Sequence, residues 1–385
     1  MTAAELFFWS GLGALVYTYF GYPLVLYLLS RGFKPAENKP GSAELPSVAL
    51  VIAAYNEENV IGAKLDNCLK LDYPGEKIEF LVASDGSTDR TDQIVAARAN
   101  PDARIRLLSL RRGGKSAAIN AAMAGVKSDI VVFSDANTIY SPDSIRMLVK
   151  GFSDKTVGCV CGRLSYNNPG KVISGEGESA YWRYETSLKK MESRLGYVSG
   201  ANGAIYAVRR ELFDSLPPGT INDDFTISMR IVKRGYKCLY EESAVAYEDV
   251  APDVKSEFRR HVRDGAGHYI AVWQLAGLLN PLLGIRSFIY WSHRILRWLA
   301  PFLLIGVVIA NWRLADAQPY SALFAFQAAF YLLAFLGYAA SSFGRAPFFL
   351  YVPFYFSNLN LALLFGFLKA ISGGAKPAWA STRRG

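Results

Sequence analysis

Apolar and polar positions fall into two regimes along this chain. Val48 to Ala54, Ile78 to Ser84, Ile105 to Leu110 and Val131 to Ser134 are short, largely apolar runs, the pattern of strands covered on both faces. Between them, apolar positions recur at helical spacing. Val60, Ile61, Leu65, Cys68 and Leu69 predict a helix over 58–71, closed by Asp72-Tyr73-Pro74-Gly75. Ser87 or Thr88 caps a second helix from Asp89 to Arg98, and the basic loop Arg111-Arg112-Gly113-Gly114-Lys115-Ser116 leads into a third from Ala117 to Gly125. Strand and helix alternating in this way predict an α/β fold with a mostly parallel, doubly wound sheet.

The second regime is longer. Leu6 to Leu29 carries no charge and is long enough to cross a hydrocarbon core of about 30 Å, with Pro23 as a candidate kink. Ile295 to Trp312, Tyr320 to Phe343 and Phe348 to Leu368 are further candidate spans, the first with Arg297 near its start. Glu5 is the one early charge and no small-residue cleavage site follows, so the first run reads as an uncleaved anchor. The expected organisation is an anchor over 1–30, a globular domain over 31–267, interfacial amphipathic or re-entrant helices over 268–294, and spans with a short basic tail over 295–385.

Composition agrees: 51% hydrophobic and 19% charged residues in 385 is apolar for a chain without spans. The net charge of +9 sits beside the spans, at Arg31, Lys34 and Lys39, at Arg286, Arg294 and Arg297, and at Lys369, Lys376, Arg383 and Arg384. This is juxtamembrane charge of the positive-inside kind, which predicts an integral inner (plasma) membrane protein touching membrane lipids, its globular domain cytoplasmic. Nucleic acid is not expected, because no basic patch with interleaved aromatics accompanies the charge. One anchor plus three spans would put the carboxyl terminus outside, whereas its basic tail argues inside. Cys68, Cys159, Cys161 and Cys238 have no zinc spacing and read as small core residues. His261, His268 and His293 lack metal spacing too, and His293 beside Arg294 is expected at the lipid interface.

Candidate chemistry collects where strands end. The first strand runs into Tyr55-Asn56-Glu57-Glu58, the second into Asp85-Gly86-Ser87-Thr88-Asp89, and the strand at 131–134 into Asp135-Ala136-Asn137-Thr138. In an open α/β sheet, ligands bind beyond the carboxyl ends of the strands. Taken singly, each motif also fits a strand exit with a helix cap or turn. Asp223-Asp224 pairs two carboxylates, which raise each other's pKa when buried, or alternatively serves a helix N-terminus ahead of Phe225 to Arg234.

In this order, Ala54-Tyr55-Asn56-Glu57, Asp85-Gly86-Ser87-Thr88-Asp89, Gly113-Gly114-Lys115 with Asn120, and Asp135-Ala136-Asn137 resemble the nucleotide-sugar half of family 2 glycosyltransferases of the GT-A fold. Val198 to Arg210 resembles their acceptor-side segment, and Ile221-Asn222-Asp223-Asp224-Phe225 the motif that carries their base. The resemblance covers Pro46 to Gly267 and suits the membrane-integrated branch, with bacterial exopolysaccharide glycosyltransferases and polysaccharide synthases. It implies that Tyr55, Glu57 and Asp85 hold the donor nucleotide, and that Lys115, Asp135 and Arg263 meet its diphosphate. Asp135 and Asn137 would bind Mg²⁺ or Mn²⁺, Asn137 departing from the family's Asp-x-Asp. Gly200, Asn202, Arg260 and Asp264 would face the acceptor, and Asp224, beside Asp223, would be the base. Arg259 to Asp264 stands where the family has Gln-x-x-Arg-Trp, with Arg260 for Gln and Asp264 for Trp. It reads alternatively as a basic helix on the membrane.

The expected function is inverting transfer from a nucleoside diphosphate sugar, UDP-linked, to a lipid-linked saccharide or glycan in extracellular polysaccharide biosynthesis. Loss of the Trp platform favours a single transfer. A processive polysaccharide synthase is the rival enzyme, and a non-enzymatic transporter or scaffold the rival of another class. The sugar, the acceptor and the oligomeric state are not readable from the residues.

Overall fold

The computed structural model describes residues 1–33, 44–167, 173–249, 254–341 and 347–375. The expected strands form as β1 Val48–Ala54, β2 Ile78–Asp85, β3 Ile105–Leu110 and β4 Ile130–Asp135. They are followed by β5 Ile139–Tyr140, β6 Val157–Tyr166, β7 Tyr206–Arg209 and β8 Lys237–Glu248. All join one sheet of order β3-β2-β1-β4-β7-β6-β8-β5. The first four pair in parallel, while β7 runs antiparallel to both neighbours.

Every residue of β1 is buried, and alternation divides them between two cores. Ala49, Val51 and Ala53 pack with Ala118 and Ile119 of the helix Lys115–Ala124 and with Ile227 of the helix Asp223–Lys233. Leu50 and Ile52 pack with Ile61 and Leu65 of the helix Ile61–Cys68. Both faces being covered is why the run is unbroken in the sequence. The four cysteines are buried and unbonded, as expected of core residues.

Register brings the strand exits to one rim. Ala53 pairs with Asp135, Ala54 with Ser84, and Asp85 with Leu110, so Tyr55, Asp85, Asp135 and the loop after Leu110 emerge side by side. Because β7 runs the other way, with Phe133 opposite Tyr206, the chain entering it from Ser199 to Ile205 arrives at that same rim.

Among the described residues four helical runs are long and apolar enough to cross a membrane: Ala3–Arg31, Ile285–Leu314, Tyr320–Ser341 and Phe348–Ile371. The first accommodates Pro23 by a π-helical turn at Tyr17–Gly21, which absorbs the hydrogen bond that proline cannot make. Residues 268–294 do not form one kind of element. Helix Val254–Gln274 runs straight through Gly267, and only Leu275 to Gly284 departs from long helix, in two short 3₁₀ turns around Asn280-Pro281. Arg286 does not break the run that begins at Ile285, because its guanidinium caps the Val232 and Lys233 carbonyls at 3.3 and 3.4 Å. Helix Val254–Gln274 lies against Phe348–Ile371 through glycine: a Cβ on Gly366 would come within 2.8 Å of the Ala266 nitrogen. Lys34, Lys39 and the tail from Lys376 lie outside the described residues.

Candidate functional site

The site is assembled around Lys115. Gly114, with φ of 90°, turns the chain so that Lys115 is the first residue of its helix, and its ammonium reaches over the β4 exit. There Nζ lies 2.9 Å from Asp135 Oδ1 and 3.2 Å from Asp223 Oδ1. Burial alone would lower the Lys115 pKa, but Asp135, Asp223 and Asp224 together outweigh it and raise it, keeping the ammonium charged. The pocket here is lined by the polar Lys115, Asp223 and Ser134, by Gly203, and by the apolar Val51, Ala53, Ile119 and Phe133.

Asp223 and Asp224 open the helix Asp223–Lys233, two residues before its expected start, so their charges also face the positive end of the helix dipole. Burial raises the Asp223 pKa, Lys115 opposes this and Asp135 adds to it. For Asp224, burial and then the neighbouring Asp223 charge push it up to about 7. Asn222 ties this helix start to the helix Val254–Gln274 by donating to the Asp264 carbonyl at 2.9 Å.

Gly203, given no role in the sequence reading, is where these groups converge. A Cβ there would lie 3.2 Å from Asp135 Oδ2, 3.6 Å from Asp224 Oδ2 and 3.6 Å from Lys115 Nζ. Its signal was present only as a glycine in a loop. Gly203→Ala should fold normally yet lose at least about tenfold in turnover, since displacements near 1 Å at a reacting centre cost up to about a hundredfold. Circular dichroism beside steady-state kinetics checks it, and unchanged turnover would remove the space from the site.

Gly203 also bears on a metal. One oxygen of Asp135 is taken by Lys115, and the other faces the space the glycine leaves. Mg²⁺ and Mn²⁺ take oxygen ligands and commonly use one or two carboxylates plus substrate phosphates, so the donor set fits a cation completed by the donor. Among the described residues no three His, Cys, Asp or Glu gather as a self-sufficient metal centre. The Asn137 amide nitrogen donates to Glu248 Oε1 at 3.0 Å, which anchors the Asp135-Ala136-Asn137 turn to β8.

At the other end of the rim, Asp85 is 1% exposed and accepts from the Gly113 N–H at 2.7 Å, the Gly114 N–H at 2.9 Å and the Arg112 guanidinium. Arg112 in turn stacks 3.4 Å over the Tyr55 ring. Arg112 thus lies between the Tyr55 ring and the Asp85 carboxylate. Glu57 lies in the loop that Asn56, with φ of 53°, and Thr91 pin to the neighbouring βα turn.

The acceptor-side residues separate. Gly200, with φ of 122°, lets the loop close on the Phe225 ring, where a Cβ would lie 2.7 Å away. Asn202 faces inward, donating to the Gly162 carbonyl at 3.2 Å and accepting from Ile205 N–H at 3.3 Å, so it shapes the loop. Arg263 pairs with Asp264 at 3.1 Å on the helix that also carries Arg260. His293 is not at a lipid interface: it is fully buried between Glu185 and Glu192, because those carboxylates supply the partners a buried imidazole needs.

A parallel rim holding a carboxylate, a lysine and an acidic helix start, with a returning antiparallel strand, is the architecture of GT-A-type domains. The fold matches that of the mannosyltransferase PcManGT from Pyrobaculum calidifontis, solved in complex with GDP-Man and Mn²⁺, with a TM-score of 0.71 over 95% of this chain and 99% of that one at 22% identity. Residues 46–267 match the model described as "Glycosyltransferase like family 2", and the chain belongs to that family. Among curated relatives, a beta-monoglucosyldiacylglycerol synthase of Nostoc sp. is 28% identical over 63% of this chain and 53% of its own length. A poly-beta-1,6-N-acetyl-D-glucosamine synthase of Staphylococcus aureus is 26% identical over 58% and 55%. The match thus spans about half the length of these relatives.

Proposed function

We propose that this protein is an inverting glycosyltransferase that moves a sugar from a nucleoside diphosphate donor, UDP-linked, to a hydroxyl of a lipid-linked saccharide or glycan at the cytoplasmic face of the inner membrane, in extracellular polysaccharide biosynthesis. The observation that carries the reading is the convergence of Lys115, Asp135, Asp223 and Asp224 on the space left by Gly203. Tyr55 and Arg112 offer a stacking surface for the base, and Lys115 a cation for the departing diphosphate. When bound, Mg²⁺ or Mn²⁺ at Asp135 would supply further charge for the diphosphate. Asp224, poised near neutral pH, takes the proton of the attacking hydroxyl. With Asp224 as base, the acceptor hydroxyl attacks the anomeric carbon as the nucleoside diphosphate leaves, a single displacement that inverts the anomeric centre.

The relatives' names, one a glycolipid synthase and one a polymer synthase, bracket the acceptor. Asp264 at the family's tryptophan position supports one transfer per acceptor, because a carboxylate offers no flat platform along which a polymer slides. The test uses membranes washed with carbonate, then detergent-extracted protein, incubated with UDP- and GDP-sugars and Mn²⁺. Diphosphate release should stay with the pellet until detergent is added, and products should gain one sugar by mass. No release from any donor would end the reading, and a ladder of many sugars would move the chain among the polymer synthases.

A further inference from the structure

Charges are also buried away from the strand rim, where the helix Ile285–Leu314 meets the loop ahead of β7. His293 Nδ1 lies 2.5 Å from Glu192 Oε1, its Nε2 lies 3.3 Å from Glu185 Oε2, and Arg297 pairs with Glu185. Glu192 also accepts from the Tyr22 hydroxyl at 2.7 Å and the Ser199 N–H at 2.9 Å. Both carboxylates are therefore committed. Among the described residues the side chain of Arg294, the next residue along, makes a single hydrogen bond, from Nε to the Ser199 carbonyl at 2.7 Å.

The rest of that guanidinium faces the Gly200 turn and the Phe225 ring. It is half-buried, sits 5.8 Å from the Phe225 ring centre, and its Nη2 lies 3.6 Å from where a Cβ on Gly200 would be. Among the described residues no carboxylate pairs with it and no acceptor takes its two terminal nitrogens. Glu185 and Glu192 both feel the Arg294 charge, yet neither is bonded to its terminal nitrogens, which leaves those N–H groups to an anion that can hydrogen-bond them. The forked pair of terminal N–H₂ groups matches phosphate oxygens in a bidentate way. Beside it His268 is held neutral, its pKa lowered to about 4 by burial and by Arg294 itself, so it adds no competing charge.

We propose that Arg294 binds the phosphate of a lipid-borne acceptor. The inference rests on the transferase reading above and names the anchor by which the acceptor is held. One loop joins the two ends of that acceptor: Gly203 faces Asp224, and Gly200 faces Phe225 and Arg294. Three residues reach at most about 10 Å, so a hydroxyl at Asp224 and a phosphate at Arg294 are a short saccharide's length apart. The helix that carries Arg294 continues as a membrane-spanning candidate, which gives the lipid tail an apolar wall to follow.

Farnesyl diphosphate and farnesol serve as probes on the full-length protein in detergent, with Mn²⁺ and saturating UDP or GDP, whichever binds, filling the donor site. Calorimetry should show the diphosphate binding at least about tenfold tighter than the alcohol, Arg294→Met losing that advantage, and Arg294→Lys retaining most of it. Equal binding of farnesol, an unaltered Arg294→Met, or loss in both variants alike would overturn the proposal, the last because only the Ser199 contact would then matter. Inorganic diphosphate binding as tightly would overturn the lipid-borne part. Since binding is read without turnover, these failures are distinct from a protein that uses no sugar donor.

Discussion

Asp224→Asn should lower turnover by about 10² to 10⁴ while leaving nucleotide affinity within about twofold of wild type. The amide keeps the size and most hydrogen bonds of the carboxylate but cannot take a proton. In the wild-type protein the acid that must first be ionised has its pKa raised to about 7 by burial and the Asp223 charge. The sign follows: below that pH the base is protonated and idle, so kcat/KM should climb as pH rises through about 7 and level off above it. Because the two aspartates titrate together, the apparent value belongs to the pair. Asp223→Asn removes the neighbouring negative charge, so it should shift the limb to lower pH. Asp224→Asn with more than about a tenth of wild-type turnover, or an Asp223→Asn limb displaced upward, would place the base elsewhere.

Lys115→Met should be the other large loss, and for a different reason. It leaves Asp135, Asp223 and Asp224 around a vacated centre with no shared cation. Lys115 opposes the upward shift of Asp224, so its removal raises that pKa further and moves the active limb to higher pH. The departing diphosphate loses a positive partner as well, a term worth about 10² to 10³ in turnover when a single stabilising group is removed. Folding suffers too, by about 3 kcal/mol, the low end for a broken buried pair because Lys115 and Asp135 keep 21% and 31% of their side-chain exposure. Lys115→Arg, which restores the charge, should recover most of the stability. Pre-steady-state diphosphate release and thermal unfolding check the two halves; turnover above about a tenth of wild type would show that the lysine holds the aspartates together without serving the departing diphosphate.

The sheet was legible because burial on both faces leaves little freedom: β1 and β3 have the bounds their apolar runs gave. Helix starts were less so. Lys115 looked like a loop residue because only the positive φ of Gly114 shows that the loop ends two residues earlier, before Lys115. The rim could be read since each strand exit carries its own polar motif, whereas Gly203 has no side chain to announce it. The Glu192–His293 contact joins residues 101 apart, and neither lies in a pattern that names the other. A lone histidine beside an arginine gave no reason to place it anywhere but the membrane surface.

The first helix is more than a tether. Tyr22 is fully buried, and its hydroxyl donates to the same Glu192 that holds the Ser199 N–H at the head of the Gly200 to Gly203 loop. Trimming residues 1–33 to obtain a water-soluble enzyme would strip a donor from a buried carboxylate and open the packing of Tyr22 and Leu26 against Leu188 and Ile289. The catalytic portion is therefore not a detachable module. During synthesis this helix is made well before Glu192 and Ile289, so the Gly200 to Gly203 loop gains its full support only when those later partners pack against it.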